Sequence, residues 1–154
     1  MKEIAISDVS DVLAKAIEEG KIFDGNGLYD TPVAQFYDLD LLDAHMANLK
    51  ETFGPTFHHC IAIKSNSVSK MLRHAYDTHG FGIECASIGE VMHAIRHCKI
   101  PKEAIVFDSP CKTRAELEFA IRERIYCNLD NFDEYERAKK FIDEMNAEEK
   151  TNLE

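Results

Sequence analysis

Residues 60–65 of the chain read CIAIKS, and this apolar stretch with its polar ending decides the fold because it recurs three times. The later copies are GIECAS, AIVFDS and YCNLDN. The four copies start at residues 60, 82, 104 and 126, a constant spacing of 22 residues. Each copy is apolar on nearly every residue of its first part. This pattern is typical of strands that are covered on both faces of a parallel sheet.

An amphipathic stretch follows each copy and predicts a helix. The four helices are expected at about 67–79, 88–97, 114–122 and 132–145. Three of them begin with pairs that resemble a capping box: Ser87 with Glu90, Thr113 with Glu116, and Asn131 with Glu134. Four strand–helix units of near-constant length predict right-handed crossovers and a parallel sheet.

Two architectures use such units, an open doubly wound sheet and a closed barrel. The even spacing favours the barrel, as does the lack of a glycine-rich dinucleotide fingerprint after the first strand. A full β/α barrel has eight units and about 250 residues. The predicted fold class is therefore α/β, the N-terminal portion of an incomplete β/α (TIM) barrel with about four units. A fragment of a longer protein is favoured over a natural half-barrel.

The chain divides into three predicted segments. Residues 1–30 are expected to form a helix, from about residue 7 to 19, followed by a loop. Residues 31–145 form the partial barrel and open with a strand, VAQFYD, at 33–38. A helix capped by Asp40 follows, and Gly54-Pro55 ends it. Residues 146–154 are predicted to be a polar tail, with the C-terminal half of the barrel and any further β domain absent.

Composition narrows the function classes. The 154 residues include 28 acidic and 18 basic side chains, a formal net charge of -10, which disfavours nucleic acid and anionic membrane partners. Neither a secretory signal nor an apolar run of about 20 residues is present in the sequence. The five cysteines are odd in number and form no CxxC pair, which favours a reducing compartment. A soluble cytoplasmic protein is expected.

Reactive groups of a β/α barrel lie at the C-terminal ends of its strands. This rule selects Lys64, Glu84, Ser87, Asp108, Ser109, Asp130 and Asn131. Lys64 ends an apolar run, where partial desolvation lowers the pKa of a lysine and leaves more free amine to attack an aldehyde. That chemistry suits pyridoxal phosphate (PLP). The alternative is a lysine at the barrel rim that forms an ion pair with Glu84 or Asp108.

The segment CIAIKSN resembles the YAVKAN-type motif of the ornithine, diaminopimelate and arginine decarboxylase family. These PLP enzymes have fold type III, the alanine-racemase-like barrel. The stretch TPVAQFYDLDLLDAHMANLKETF resembles the family's entry segment. The next three units match in order: GFGIECASIGEVMHAI, IPKEAIVFDSPCKTRAELEFAI and IYCNLDNFDEYERA. The resemblance covers roughly residues 31–141.

The resemblance implies that Lys64 is the catalytic lysine, which bonds covalently to PLP and is later displaced by the substrate. Glu84 stands where the family usually has an aspartate near the cofactor, and Ser87 and Asp108 are further candidates for cofactor binding. Cys111 and Lys112 match a PCK segment of the ornithine-type branch. Relatives place their glycine-rich phosphate loop, stacking histidine and pyridine-nitrogen carboxylate in later units. We therefore expect catalysis on a small amino acid from the full-length protein, as a homodimer, and not from this chain alone.

Several alternatives remain open. The stretches SIGEV, TRAELEFAI and NFDEYERA favour decarboxylation of diaminopimelate to lysine and carbon dioxide, whereas ECAS and PCK favour the ornithine branch of polyamine synthesis. A racemase of the same barrel type usually follows its lysine with tyrosine, glycine and histidine, which residues 65–68 do not match. A non-catalytic PLP carrier or regulator is a third reading. No metal is expected: His93 and His97 stand four residues apart on one helical face, but the sequence has neither an HExxH motif nor the closer-set loop ligands of known zinc sites.

Overall fold

A computed structural model describes residues 6–22 and 35–151, and the chain divides into two units, residues 1–38 and 39–154. In the first unit, helix α1 spans Ile6–Glu18, within one residue of its predicted bounds. The strand predicted at 33–38 is not formed over its described part, since residues 35–38 adopt no regular secondary structure. Residues 33–34 and 23–31, the latter being most of the predicted loop, lie outside the described residues.

The second unit alternates strands and helices from end to end. Its strands are β1 (Cys60–Ala62), β2 (Gly82–Cys85), β3 (Ile105–Phe107) and β4 (Tyr126–Cys127). Its helices are α2 (Leu39–Phe53), α3 (Ser69–His79), α4 (Ile88–Arg96), α5 (Arg114–Arg122) and α6 (Phe132–Thr151). Short 3₁₀ turns at Ile63–Ser65 and Lys102–Ala104 complete it. The four predicted strand–helix units are therefore confirmed.

The four strands form one parallel sheet in the order β1-β2-β3-β4. Strands that follow one another in the chain are neighbours in the sheet. A doubly wound sheet would instead reverse its strand order at a switch point. Consecutive order with parallel pairing is the arrangement of a β/α barrel, and the predicted α/β partial-barrel class is confirmed.

One face of the sheet is covered and the other is open. Ile83, Cys85, Ile105 and Phe107 are fully buried in a core that also contains Leu72 of α3, Val91 of α4 and Ala120 of α5. Alternate residues of the same strands point to the opposite face. There Ala62, Glu84 and Val106 are only half-buried, and Tyr126 is 64% exposed. This open face corresponds to the side that a complete barrel turns inward.

The strands are shorter than predicted at their C-terminal ends. The first was expected to run through Lys64, but β1 stops at Ala62 and the chain turns into the 3₁₀ segment. The Ser65 hydroxyl donates to the Ala62 carbonyl oxygen at 2.7 Å, and the Asn66 N–H donates to the Ile63 carbonyl oxygen at 3.1 Å. These local hydrogen bonds replace the sheet pairing that a longer strand would need.

Two helices differ from their predicted bounds. Asp40 lies in the first turn of α2 rather than capping it, while the predicted end is confirmed, since Gly54 follows with a φ of 81°. Helix α6 continues through Thr151, into the stretch predicted to be a polar tail. No helix of the described ranges is both long enough and apolar enough to cross a membrane, α6 with its 20 residues included.

Gly82 stands where three chain segments meet at the N-terminal end of the sheet. A Cβ at this position would lie 2.5 Å from the Ala104 carbonyl oxygen, 2.8 Å from His58 Nε2 and 2.9 Å from Cys60 Sγ. The first of these atoms belongs to the backbone, which cannot turn away as a side chain can. The sheet therefore needs a residue without a side chain here.

We expect Gly82→Ala to lower the free energy of unfolding by about 1–3 kcal/mol, the usual range for overpacking a tight site. Gly89→Ala is the control, because its Cβ would meet only Ser87 Oγ, at 3.8 Å. Urea unfolding followed by circular dichroism measures both variants. Equal stability of the two variants would show that the sheet accommodates the methyl group.

Candidate active site at the C-terminal ends of the strands

Parallel pairing brings the residues that follow the four strands to one edge of the sheet. Ala62 is in register with Glu84, and Glu84 with Val106. Lys64 lies two residues beyond the end of β1, and Asp108 directly follows β3. The four predicted site residues, Lys64, Glu84, Ser87 and Asp108, thus belong to three neighbouring units of one sheet edge.

Lys64 lies in the 3₁₀ turn and its side chain is exposed. The predicted partial desolvation is therefore wrong for this chain, because the turn lifts Lys64 off the buried strand. No ion pair joins Lys64 to Glu84 or Asp108 within the described ranges. The rim ion pair considered as the alternative is absent here. The amine is accessible to a small molecule.

Glu84 is half-buried on the open face of the sheet, where its charge acts on the thiols nearby. Burial, and then the negative charge of Glu84, raise the pKa of the Cys60 thiol. Burial, and to a smaller extent Glu90 and Glu84, raise the pKa of Cys85 to about 12. Both thiols are protonated near neutral pH and are poor nucleophiles. Glu84 is the chemically distinctive group on this face.

Ser87 caps helix α4, as its sequence pattern predicted. Its hydroxyl oxygen accepts a hydrogen bond from the Glu90 N–H at 3.3 Å. The Glu90 carboxylate reaches one residue further back than a capping box requires and accepts from the Ala86 N–H at 2.6 Å. The Ser87 side chain is exposed and keeps its own O–H for another acceptor.

Asp108 lies at the same edge with an exposed carboxylate. Its N–H donates to the Cys85 carbonyl oxygen at 2.8 Å, which extends the β2–β3 pairing by one residue. The backbone of Asp108 is thereby held by the sheet while the side chain remains available. Its position therefore suits a binding role.

A buried ion pair between Lys112 and Glu134 links the third and fourth strand–helix units, and no pattern in the sequence predicts it. Lys112 is 1% exposed and Glu134 is 0% exposed. The distance from Lys112 Nζ to Glu134 Oε2 is 3.2 Å. Lys112 was noted only within the PCK stretch, and Glu134 only as a capping residue. Nothing in a polar loop indicates that its lysine is buried, so the pairing needed the structure.

Hydrogen bonds hold Glu134 in its charged form. Burial alone would raise the pKa of the carboxyl group, but the Asp130 N–H and the Lys112 ammonium donate to it, and the net effect lowers its pKa below 4.5. The Asp130 N–H contact is 2.9 Å from Oε2. The ion pair is thus present at neutral pH in a site that excludes water.

The histidines singled out for a metal site have other contacts. His93 Nε2 lies 2.9 Å from the Ser67 carbonyl oxygen, and its ring lies 5.3 Å from that of His97. On α2, Asp43 Oδ1 lies 2.8 Å from His74 Nε2 and 2.9 Å from His79 Nε2. In residues 6–22 and 35–151 no group of three or more His, Cys, Asp or Glu side chains is arranged to hold a metal ion.

Comparison with known proteins identifies relatives of this domain. Residues 39–151 match the family model of the pyridoxal-dependent decarboxylases, pyridoxal binding domain. The chain is 35% identical over 102 residues to the L-glutamyl-[BtrI acyl-carrier protein] decarboxylase of Niallia circulans, covering 64% of this chain and 22% of the relative. It is 34% identical over 106 residues to the diaminopimelate decarboxylase of Helicobacter pylori, covering 68% of this chain and 25% of the relative.

A solved structure is also similar. The crystal structure of diaminopimelate decarboxylase from Helicobacter pylori complexed with L-lysine gives a TM-score of 0.63 at 29% identity. The match covers 71% of this chain and 28% of that chain. The chain therefore spans about a quarter of the length of these relatives.

We expect Glu134→Gln to lower the free energy of unfolding at pH 7 by about 3–5 kcal/mol, because it leaves the Lys112 ammonium buried without a counter-charge. The folded-state pKa of Glu134 is lowered, so its contribution is full above pH 4.5 and is lost as the pH falls through the lowered value. Urea unfolding at several pH values measures the difference between the variant and the wild type.

Glu136→Gln, an exposed position on the same helix, is the matched control and should change little at any pH. A difference between Glu134→Gln and the wild type that is the same at pH 7 and pH 3 would contradict the assigned charge state of Glu134.

Proposed function

The chain belongs to the pyridoxal-dependent decarboxylase family, and from this premise we propose that Lys64 is the residue that bonds covalently to pyridoxal phosphate in an amino-acid decarboxylase. The observation that carries the proposal is the exposed position of Lys64 at the C-terminal edge of the sheet. Because the chain spans about a quarter of its relatives, the activity is assigned to the full-length protein.

Lys64 supplies the attachment of the cofactor. The Lys64 amine would hold the cofactor through its aldehyde group, an attachment that needs no oxidant or reductant. PLP, when bound, would act as an electron sink for an amino-acid substrate and so favour loss of its carboxylate as carbon dioxide. Lys64 would also be the group that gives up the cofactor to the substrate amine.

The other three predicted site residues, Glu84, Ser87 and Asp108, differ in charge and therefore in what they can bind. Glu84 and Asp108 carry carboxylates, which repel a phosphate and suit a ring hydroxyl or the ammonium group of a substrate. The Ser87 hydroxyl can donate to a phosphate oxygen while its own oxygen accepts from the Glu90 N–H. We assign these three side chains to cofactor and substrate binding on this basis.

The proposed substrate is diaminopimelate, with lysine and carbon dioxide as products. One curated relative and one solved neighbour are diaminopimelate decarboxylases, and three stretches of this chain resemble that branch. Release of carbon dioxide from diaminopimelate, and not from ornithine, by the full-length homodimer tests the choice. The reverse preference would assign the protein to the ornithine branch.

We expect the purified chain mixed with PLP to develop an absorbance band near the visible edge, which borohydride converts into a permanent adduct. Lys64→Ala should abolish the band and the adduct, because Lys112, the other lysine near this sheet edge, is buried in its ion pair with Glu134. Absorbance spectra before and after reduction, together with intact mass, measure the effect.

Lys70→Ala is the matched control, since Lys70 is an exposed lysine on the neighbouring helix α3. It should leave both signals unchanged. Identical behaviour of Lys64→Ala and the wild type would remove Lys64 from the proposed function.

A further inference from the structure

We propose that the Lys112–Glu134 pair is the positioning device of the cofactor site, an inference that rests on the proposed function. The pair would hold the loops after β3 and β4 in the arrangement that presents Asp108 to a cofactor attached at Lys64. Lys112 and Glu134 themselves are buried, so a small molecule at the sheet edge cannot reach their side chains. They are positioning residues rather than catalytic ones.

The Lys112 ammonium joins two separate loops. Its Nζ donates to the Ser109 carbonyl oxygen at 2.7 Å, to the Asn128 carbonyl oxygen at 2.5 Å, and to Glu134 Oε2 at 3.2 Å. An ammonium group has three N–H donors, so all of them are used. Ser109 follows β3 and Asn128 follows β4. One side chain thus fixes the ends of two neighbouring strands.

The Glu134 carboxylate fixes the same two loops from the other side. Oε1 accepts from the Lys112 N–H at 3.3 Å, and Oε2 accepts from the Asp130 N–H at 2.9 Å. Two carbonyl groups and two N–H groups of the sheet edge are therefore held by one ion pair. Because Asp108 directly precedes Ser109, its direction depends on this arrangement.

Helix capping does not account for the lysine. Helix α5 already has a complete capping box, formed by Thr113 and Glu116. Helix α6 has its cap in Asn131, whose Oδ1 accepts from the Glu134 N–H at 2.9 Å. In the second strand–helix unit, Glu90 makes the same backward contact to Ala86 that Glu134 makes to Asp130. Within residues 6–22 and 35–151, no salt bridge joins Glu90 to a lysine. The ammonium adds only the link between the two loops.

The energetic cost of burying an ion pair also favours a positioning role for Lys112 and Glu134. Replacing a buried ion pair with apolar residues of similar size is often neutral or stabilising. A pair used for stability alone could therefore be replaced by apolar residues without loss of stability. A pair that sets the direction of backbone groups could not be replaced without loss of that arrangement, since apolar side chains offer no donors or acceptors.

The test separates stability from position by removing both charges together. The double variant Lys112→Met/Glu134→Leu leaves no unpaired buried charge, and we expect it to lose less stability than Glu134→Gln, which leaves the Lys112 ammonium unpaired. Leu72→Ala is the control for lost stability, since Leu72 is fully buried on α3 and its truncation should lower the free energy of unfolding without touching the loops. Urea unfolding establishes both points.

Borohydride trapping over a range of PLP concentrations, read as adduct mass at Lys64, then gives the half-saturating concentration for each folded variant. We expect the half-saturating PLP concentration to rise at least about tenfold in the double variant. Replacement of residues that orient the ligands of a metal weakens metal binding by a similar factor. Leu72→Ala should match the wild type under conditions where it is folded. A folded double variant that is labelled as well as the wild type would overturn the proposal.

Lys112→Arg carries the same test if the double variant does not fold. Arginine keeps the charge but its planar group cannot direct donors to the same three acceptors, so the half-saturating concentration should rise here too. If this variant is half-saturated at the same PLP concentration as the wild type, the positioning role is overturned. A wild type that is labelled no better than Lys64→Ala would overturn the proposed function itself, and with it this inference.

Discussion

The parallel pairing of four strands in chain order is the constraint on which the other features of the domain depend. Each helix must return the chain to the same end of the sheet before the next strand can begin. The residues that follow the strands are consequently collected at one edge, whatever their separation in sequence. Lys64 and Asp108 are 44 positions apart in the chain, yet they belong to the same edge. The helices leave the other face of the sheet open, with Glu84 upon it.

Two lysines near this edge have opposite environments, and the difference follows from the backbone. Lys64 stands on a 3₁₀ turn that begins as soon as β1 ends, and its amine is exposed. Lys112 lies in a longer loop that folds back over the end of β3, where its ammonium lies 5.4 Å from the centre of the Phe107 ring. Enclosed by carbonyl groups and a carboxylate, Lys112 has no amine free to react. A reactive role therefore falls to Lys64 and a positioning role to Lys112.

The repeating pattern made the fold predictable, because spacing and apolar runs report directly on strand order and helix placement. The bounds of α5 were predicted to the residue, and the caps at Ser87 and Thr113 follow from local pairs. The exposure of Lys64 was not predictable, since hydrogen bonds within the turn, and not the apolar run, end β1. The burial of Lys112 and Glu134 depends on contacts between units, which no local pattern records. The strand predicted at 33–38 is wrong over its described part for a related reason: the apolar residues after Pro32 do not by themselves specify a strand.

The most direct measurement is a peptide map of the wild-type chain after borohydride reduction in the presence of limiting PLP. We expect the pyridoxyl mass on the peptide that contains Lys64, at concentrations that leave the exposed Lys70 and Lys99 unlabelled. Labelling that is spread evenly over the exposed lysines would contradict the assignment of Lys64 as the lysine that bonds to PLP. In that case the sheet edge would not distinguish Lys64 from any other surface amine.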